Sequence, residues 1–399
     1  MTSKLEELIA KLCPNGVEYK ALSDVSDMKR GMTVTKKSVN PGDIPVISGG
    51  REPAYYCDIS NRNGETITVA GSGAGAGFVQ YWDKPIFVCD AFSVKGVNDL
   101  TLTKFLYYVL LSKQEAIYAT KKGGGVPHVH ISSIKDFEIP VPPLDVQAEI
   151  VQILDTFTEL TAELTAELTA RKKQYEYYRD ALLTFDDNNP LHSLISRYCP
   201  NGVEYKKIGD IASVDRGGSL QKKDFCEHGI PCIHYGQIYT KYGLFASKSY
   251  TFIDSECASK QRFAHKNDIV MAVTSENIED VCKCVAWFGE EDAAVSGHSA
   301  IIRHNQNAKY LVYYFHSSMF FLQKKKLAHG TKVIEVTPSD LLDVKIPVPP
   351  LEVQRQIVQI LDRFDALCND LTQGLPAEIE ARRKQYEYYR DQLLTFKRA

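Results

Sequence analysis

The octapeptide Cys13-Pro-Asn-Gly-Val-Glu-Tyr-Lys20 recurs unchanged as Cys199 to Lys206, and this duplication constrains the fold more than any other feature. The same offset of 186 carries Asp24 onto Asp210, Arg30-Gly31 onto Arg216-Gly217, Lys36-Lys37 onto Lys222-Lys223 and Ile44-Pro45 onto Ile230-Pro231. Leu5, Leu8 and Ile9 likewise land on Leu191, Leu194 and Ile195. Farther along, Ile139 to Phe157 returns as Ile346 to Phe364 with 15 of 19 positions identical, and Arg171 to Phe185 returns as Arg382 to Phe396 with 13 of 15 identical. The chain is therefore two copies of one unit, residues 4–185 and 190–396, joined by the polar turn sequence Asp186-Asp-Asn-Asn-Pro190. The edges and tails of the copies nearly match, whereas the bodies, 50–125 and 236–330, differ almost everywhere. A common frame around divergent bodies implies two modules held alike that read different things.

The tail of each unit predicts a long helix. Prolines in Ile139-Pro-Val-Pro-Pro143 forbid a helix interior there. From Leu144 to about Leu183, an apolar seam runs through Ile150, Leu154, Phe157, Thr161, Leu164, Leu168, Arg171, Tyr175, Tyr178 and Leu182, with spacings alternating between four and three. Within it lies a micro-repeat, Thr161-Ala-Glu-Leu164 followed by Thr165-Ala-Glu-Leu168. The second tail, Leu351 to about Phe396, carries Ile357, Leu361, Phe364, Cys368, Leu371, Leu375, Ile379, Tyr386, Tyr389 and Leu393. Four extra residues make a stutter, and Gly374 and Pro376 there should kink or break the helix. The two helices are expected to pair antiparallel within one chain. The basic-aromatic tails, through Arg171, Lys172, Tyr175 and Tyr178 and through Arg382, Arg383, Tyr386 and Tyr389, form a candidate docking face for two copies of a partner; a charged exposed face with its tyrosines packed on the other helix is the competing reading.

Each body reads as short strands broken by Gly, Pro, Asn and Asp, among them 66–70, 78–82 and 86–89, with helical stretches at 102–119 and 309–327, an α+β pattern. Gly71-Ser-Gly-Ala-Gly-Ala-Gly77 after a strand, with Asp90 downstream, mimics a dinucleotide fingerprint. The context fails: a strand-like segment and Pro85 stand where the crossover helix belongs, and the second copy lacks the glycines. A flexible loop that lets the backbone approach a ligand or DNA fits better. No P-loop, nucleophile elbow, HExxH or amino-methyltransferase motif is present, so no catalytic residue is assigned. Ten cysteines in a chain that reads as leaderless are expected to stay reduced in the cytoplasm, and their scatter without a CxxC pair argues against a metal site. His128 and His130 align with Glu335 and Thr337, which argues against a shared metal. No apolar run is long enough for a membrane span, and Met1 to Leu12 does not read as a signal peptide.

With a net charge of −3, contact with nucleic acid must come from local basic loops. Residues 13–143 hold 14 basic and 13 acidic side chains, 199–350 hold 18 and 17, and 144–185 hold 4 and 8. Positive charge thus lies on the modules and not on the helical segment 144–185. The DNA-contact candidates are Arg30, Lys36, Lys37, Arg51, Lys121 and Lys122 in the first module, and Arg216, Lys222, Lys223, Lys260, Arg262, Lys324, Lys325 and Lys332 in the second.

The order of variable module, IPVPPL-x-VQ-x-x-IVQILD-x-F, long helix and KQYEYYRD-x-LLTF, present twice, resembles the DNA-specificity subunits of type I restriction-modification enzymes over essentially the full chain. The Thr-Ala-Glu-Leu units resemble the subgroup of that family with such spacer repeats. The resemblance implies two α/β target-recognition domains in pseudo-twofold repeat, separated by two long antiparallel coiled-coil helices. The segments would be 1–143 and 199–350 for the recognition domains, 144–185 and 351–399 for the spacer helices, and 186–198 for the linker and start of the second repeat. It further implies a non-catalytic chain that binds double-stranded DNA, two modification (methyltransferase) subunits and restriction (translocase-nuclease) subunits. S-adenosylmethionine, ATP and magnesium would belong to those partners, with no cofactor, metal or membrane bound by this chain. The alternative is a stand-alone DNA-binding or scaffold protein that dimerises through its helices.

Overall fold

The computed structural model describes residues 3–97, 99–370 and 372–399; Leu371 of the predicted seam lies outside the described residues. The chain forms two compact units, one made of Met1–Thr165 with Glu378–Ala399 and the other of Ala166–Ala377. These boundaries do not follow the repeat boundaries. Each unit combines one module, the near half of its own long helix and the far half of the other helix.

The modules share one topology despite their divergent bodies. In the first, an antiparallel sheet has the strand order Ser26–Arg30, Ala91–Gly96, Glu65–Ala70, Val79–Asp83. In the second, the order is Ala212–Arg216, Ser299–His304, Ile269–Ala272, Cys284–Trp287, with Phe245–Ala246 added in parallel at the edge. A smaller sheet pairs Ile44–Ile47 antiparallel with Tyr55–Cys57 and parallel with Phe87–Val88. Its counterpart pairs Ile230–Ile233 antiparallel with Thr251–Ile253 and parallel with Ala293–Val295, and adds Arg262–Ala264. Thr66 to Ala70 and Ile269 to Ala272 are buried throughout, as strands covered on both faces must be.

The repeated octapeptide forms the clasp of each unit. Tyr19–Ala21 pairs antiparallel with Glu138–Pro140, and Tyr205–Lys207 pairs with Lys345–Pro347 in the same register, Tyr opposite Pro. This brings the start of each module beside its IPVPP exit.

The helical stretch expected over 102–119 is two helices, Thr103–Ser112 and Gln114–Ala119, joined at Lys113. The stretch over 309–327 divides into Ala308–Phe315 and Ser318–Leu327, where Ser317 caps the new N-terminus by accepting from the Phe320 N–H. Thr103–Ser112 covers three strands of the first main sheet, and its Phe105, Leu106, Tyr108, Val109 and Leu110 are all buried. Each such side chain contributes roughly 1.5–3 kcal/mol by leaving water.

The first long helix runs unbroken from Leu144 to Leu183. Its seam is buried at Ile150, Leu154, Tyr175 and Leu182 and half-buried at Thr161, Leu164 and Leu168. The second is divided into Leu351–Asn369 and Leu375–Leu393. The break begins at Asp370, whose carboxylate accepts from the Thr372 and Gln373 N–H groups, and Pro376 then falls in the first turn of the new helix, where no N–H is needed. Within the first unit Phe157 stacks on Tyr389 at 5.5 Å; within the second, its repeat counterpart Phe364 stacks on Tyr178 at 5.3 Å, both at 22°. In the second unit, Tyr178 meets Phe364 while Tyr175 and Lys172 lie near Cys368, so the helices run antiparallel there.

Two buried clips explain why the IPVPPL-x-VQ-x-x-IVQILD-x-F segment is duplicated so closely. The Gln147 amide is fully buried, accepts from the Leu102 N–H at 2.9 Å and donates to the Leu100 and Pro142 carbonyls at 2.8 Å. Gln354 accepts from the Asn307 N–H at 3.0 Å and donates to Gln306 Oε1 and the Pro349 carbonyl at 2.8 Å. Asp155 takes the Tyr108 hydroxyl at 2.5 Å and Lys104 Nζ at 2.8 Å; Asp362 takes Tyr313 at 2.7 Å and Lys309 at 2.6 Å. Leaving the buried Gln147 and Gln354 amide groups unpaired would cost about 1–3 kcal/mol each, and with the half-buried Asp155 and Asp362 clips these positions hold module to helix.

Candidate nucleic-acid interface and docking helices

In each module several loops meet at one end of the main sheet. Strand Ser26–Arg30 ends at Arg30, and the Gly31 N–H donates to the Ala91 carbonyl at 2.9 Å. A Cβ at Gly31 would sit 2.0 Å from the Cys89 carbonyl oxygen. Gly217 repeats this, donating to the Ser299 carbonyl at 2.9 Å, with a Cβ only 2.2 Å from the Ser296 oxygen. The Arg-Gly pair therefore recurs because backbone meets backbone here, and it sets Arg30 and Arg216 at the same exposed corner. Arg62 donates to the Arg30 carbonyl at 3.0 Å and Arg262 to the Arg216 carbonyl at 2.9 Å. Arg262 thus braces the corner with part of its guanidinium, a role equivalent to that of Arg62, which the sequence reading did not single out.

The next loop follows strand Glu65–Ala70. The Gly71 N–H donates to the Asp90 carbonyl at 3.0 Å, the Gly73 N–H to Pro127 at 3.0 Å and the Gly77 N–H to Ala70 at 2.7 Å. Gly75 lies so close to Gly49 that a Cβ would be 2.4 Å from its carbonyl oxygen. This glycine run is a tightly hydrogen-bonded turn leading straight into strand Val79–Asp83, a correction to the expectation of a loose loop and a second reason to reject a dinucleotide site.

The Ser72 hydroxyl donates to the Asp90 carboxylate, and Ser72 bridges to His128, which itself bridges to Lys122. The second module puts Thr274 in the place of Ser72: it pairs with Glu335, and its hydroxyl meets His298 Nδ1 at 3.1 Å. Glu335 bridges to His329 and accepts a hydrogen bond from Arg216. Gly123 and Gly330, at φ of 113° and 103°, turn the equivalent last loops. A cavity of about 610 Å³ beside Arg30, Asp90, His128 and His130 opens at this end of the first module. One of about 340 Å³ beside Tyr235, Thr274, Asn277 and His298 opens in the second.

The predicted basic residues divide into two groups. Lys36, Lys37, Lys122, Lys222, Lys223, Lys325 and Lys332 are exposed; Arg51 is exposed over the Phe78 ring at 5.0 Å, and Lys121 lies half-buried over Tyr118 at 4.0 Å. Lys260 is exposed and paired with Glu256 at 3.4 Å. Lys324 is a correction. It is 5% exposed, and its ammonium donates to the Glu279 and Val281 carbonyls at 2.9 and 2.6 Å, so it is unavailable to DNA. Burial pulls its pKa below the usual lysine value. Successive helix positions differ by 100°, and of the three lysines the first is the one turned inward.

The docking tails need a similar correction. Tyr175 is 7% exposed inside the second unit's core, and Tyr178, Tyr386 and Tyr389 are half-buried against helix or module. Burial raises the Tyr175 phenol well above its ordinary pKa and pushes Tyr386 up to about 12. Arg171 and Arg382 are half-buried, with partners in Glu167 and Glu378; Lys172 and Arg383 remain exposed. The tyrosines that face outward are Tyr177 (69% exposed) and Tyr388 (62%), repeat equivalents that the sequence reading did not select. Leu160 with Leu367 and Leu144 with Leu351 are further exposed apolar pairs at matching positions.

Comparison with known proteins places these features in context. The family model for the type I restriction modification DNA specificity domain matches residues 14–171 and again 200–381. The chain is 36% identical over 314 residues to the EcoR124I/EcoR124II specificity subunit of Escherichia coli, covering 75% of this chain and 72% of that one. It is 30% identical over 399 residues to a type I restriction enzyme specificity subunit from Haemophilus influenzae, covering 95% and 96%. Among solved structures, the type I S subunit from M. genitalium shares the fold with a TM-score of 0.58 at 18% identity, covering 96% of this chain and 97% of that one. A chain from a study of type I R-M complex assembly and conformational transition does so with a TM-score of 0.61 at 19% identity, covering 96% and 98%.

Proposed function

The chain belongs to the type I restriction-modification DNA specificity subunits, a non-catalytic class, and from that membership we propose that each of its two modules reads one half of a bipartite, asymmetric site in double-stranded DNA. The observation that carries this reading is the pairing of sameness and difference at the module ends. The Arg-Gly corner, the loop after the central strand and the Gly123/Gly330 turn recur, while Asp90, Ser72 and His128 give way to His298, Thr274 and Glu335. Phosphate contacts from exposed lysines position the duplex, and the side chains that differ carry sequence information.

The two long helices then hold the modules at a set spacing and dock two methyltransferase subunits, one for each copy of the exposed Tyr177/Tyr388 and Leu160/Leu367 positions. Restriction subunits join that core in the cytoplasm. S-adenosylmethionine, ATP and magnesium reside on the partners, and this chain contributes recognition and geometry alone.

Exchanging residues 22–138 for the corresponding segment of another family member tests the reading. One half-site of the methylated motif should change while the other half and the spacer persist. A change in both halves would refute independent reading.

A further inference from the structure

Resting on the reading that each module recognises a half-site, we propose that the side-chain pair closing the sheet end, Ser72 with Asp90 in the first module and Thr274 with His298 in the second, is the centre of base discrimination. Four observations converge on it. Each pair joins the turn after the central strand to the loop entering strand 91–96 or 299–304, so the two pairs occupy one backbone position in two copies of the same scaffold. Asp90 and His298 are exposed, while the surrounding backbone is locked by the Gly71, Gly31 and Gly217 hydrogen bonds. Asp90 lines the cavity at the end of the first module, beside Arg30, and Thr274 and His298 line that of the second, beside Tyr235. Chemistry differs where geometry is conserved: a carboxylate held by a serine hydroxyl becomes an imidazole held by a threonine hydroxyl.

That difference has a direct consequence for base choice. A carboxylate only accepts hydrogen bonds, so Asp90 selects an exocyclic amino group, the N4 of cytosine or N6 of adenine. Ser72 occupies one of its oxygens and leaves the other for the base. His298 engages Thr274 through Nδ1, which leaves Nε2 as the atom that meets a base edge. Arg216, oriented by Glu335, stands at the same corner of that module as a candidate for the guanine O6/N7 edge.

The test uses the full methyltransferase complex assembled on this chain, acting on duplexes randomised within one half-site, with N6-methyladenine sequencing as readout. Asp90→Asn keeps shape but adds a donor, and Ser72→Thr with Asp90→His transplants the second module's pair. Preference should shift by about tenfold or more at one or two adjacent positions of the first half-site, with the second half-site and the spacer as in the unaltered chain. An unchanged first half-site with both variants, or a loss of methylation spread evenly over all sequences, would overturn the proposal. If the unaltered complex methylates no bipartite motif, it is the half-site reading itself that fails.

Discussion

Removal of Thr165-Ala-Glu-Leu168 should shorten the non-specific spacer between the half-sites by one or two base pairs and leave both half-sites intact. The segment lies within an unbroken 40-residue helix. Four residues at ~1.5 Å each remove about 6 Å of rod. At ~3.4 Å per base pair, that is just under two steps of DNA. The deletion should also be tolerated. Four residues turn the helix by about 400°, a net slip near 40°, and the seam there consists of half-buried Thr161, Leu164 and Leu168 with no fully buried side chain. Leu164 is then followed by Thr169, just as Leu168 is in the intact chain. A third Thr-Ala-Glu-Leu unit should lengthen the spacer by the same amount. The assay is methylation-aware sequencing of DNA from cells expressing each variant with its partner subunits. An unchanged spacer, or altered half-sites, would refute the helix as the ruler.

Further predictions follow from the corrected side-chain roles. Lys325→Ala and Lys332→Ala should weaken DNA binding and each lower the salt slope by about one. Lys324→Ala should instead lower the melting temperature, by the equivalent of about 1–3 kcal/mol, because two buried carbonyls lose their donor; the salt slope should not change. Tyr177→Ala and Tyr388→Ala should each remove one methyltransferase from the complex by native mass spectrometry, without altering the melting temperature. Burial holds His304 and His316 down to about 4, and His316 also faces Arg179, Lys324 and Lys283. Both are neutral in either state above the unfolded value near 6.5, so stability is full there. It should fall as pH drops from 6.5 toward 4, by about 1.4 kcal/mol per pH unit per histidine, since the unfolded chain takes up protons that the fold excludes. Urea melts across that range check this, and a His304→Gln/His316→Gln chain that kept the full slope would contradict it.

Repeats and periodicity made the frame legible. The helix from Leu144 to Leu183 and the break near Gly374 follow from a seven-residue seam and from proline chemistry, both local properties. What escaped was orientation. Tyr175 and Tyr178 belong to the seam and pack within the chain, Tyr175 buried and Tyr178 half-buried; one residue of rotation, 100° on a helix, separates Tyr178 from the exposed Tyr177. In the sequence Lys324 reads as surface charge, because composition does not reveal which of three lysines points inward. The Lys104/Tyr108 and Lys309/Tyr313 clips stand four residues apart in both copies, a signal present in the sequence but masked by the shifting repeat offset. The Ser72–Asp90 and Thr274–His298 pairs were beyond reach, because each joins two loops 18 or 24 residues apart through sheet register.

The most direct test of the central claim is the N6-methyladenine map of the host genome with and without an intact copy of this chain. The account predicts that one bipartite, asymmetric motif disappears when the chain is lost and returns when it is restored. A map that keeps every motif, in cells whose methyltransferase subunit remains active, would contradict its role as the specificity subunit.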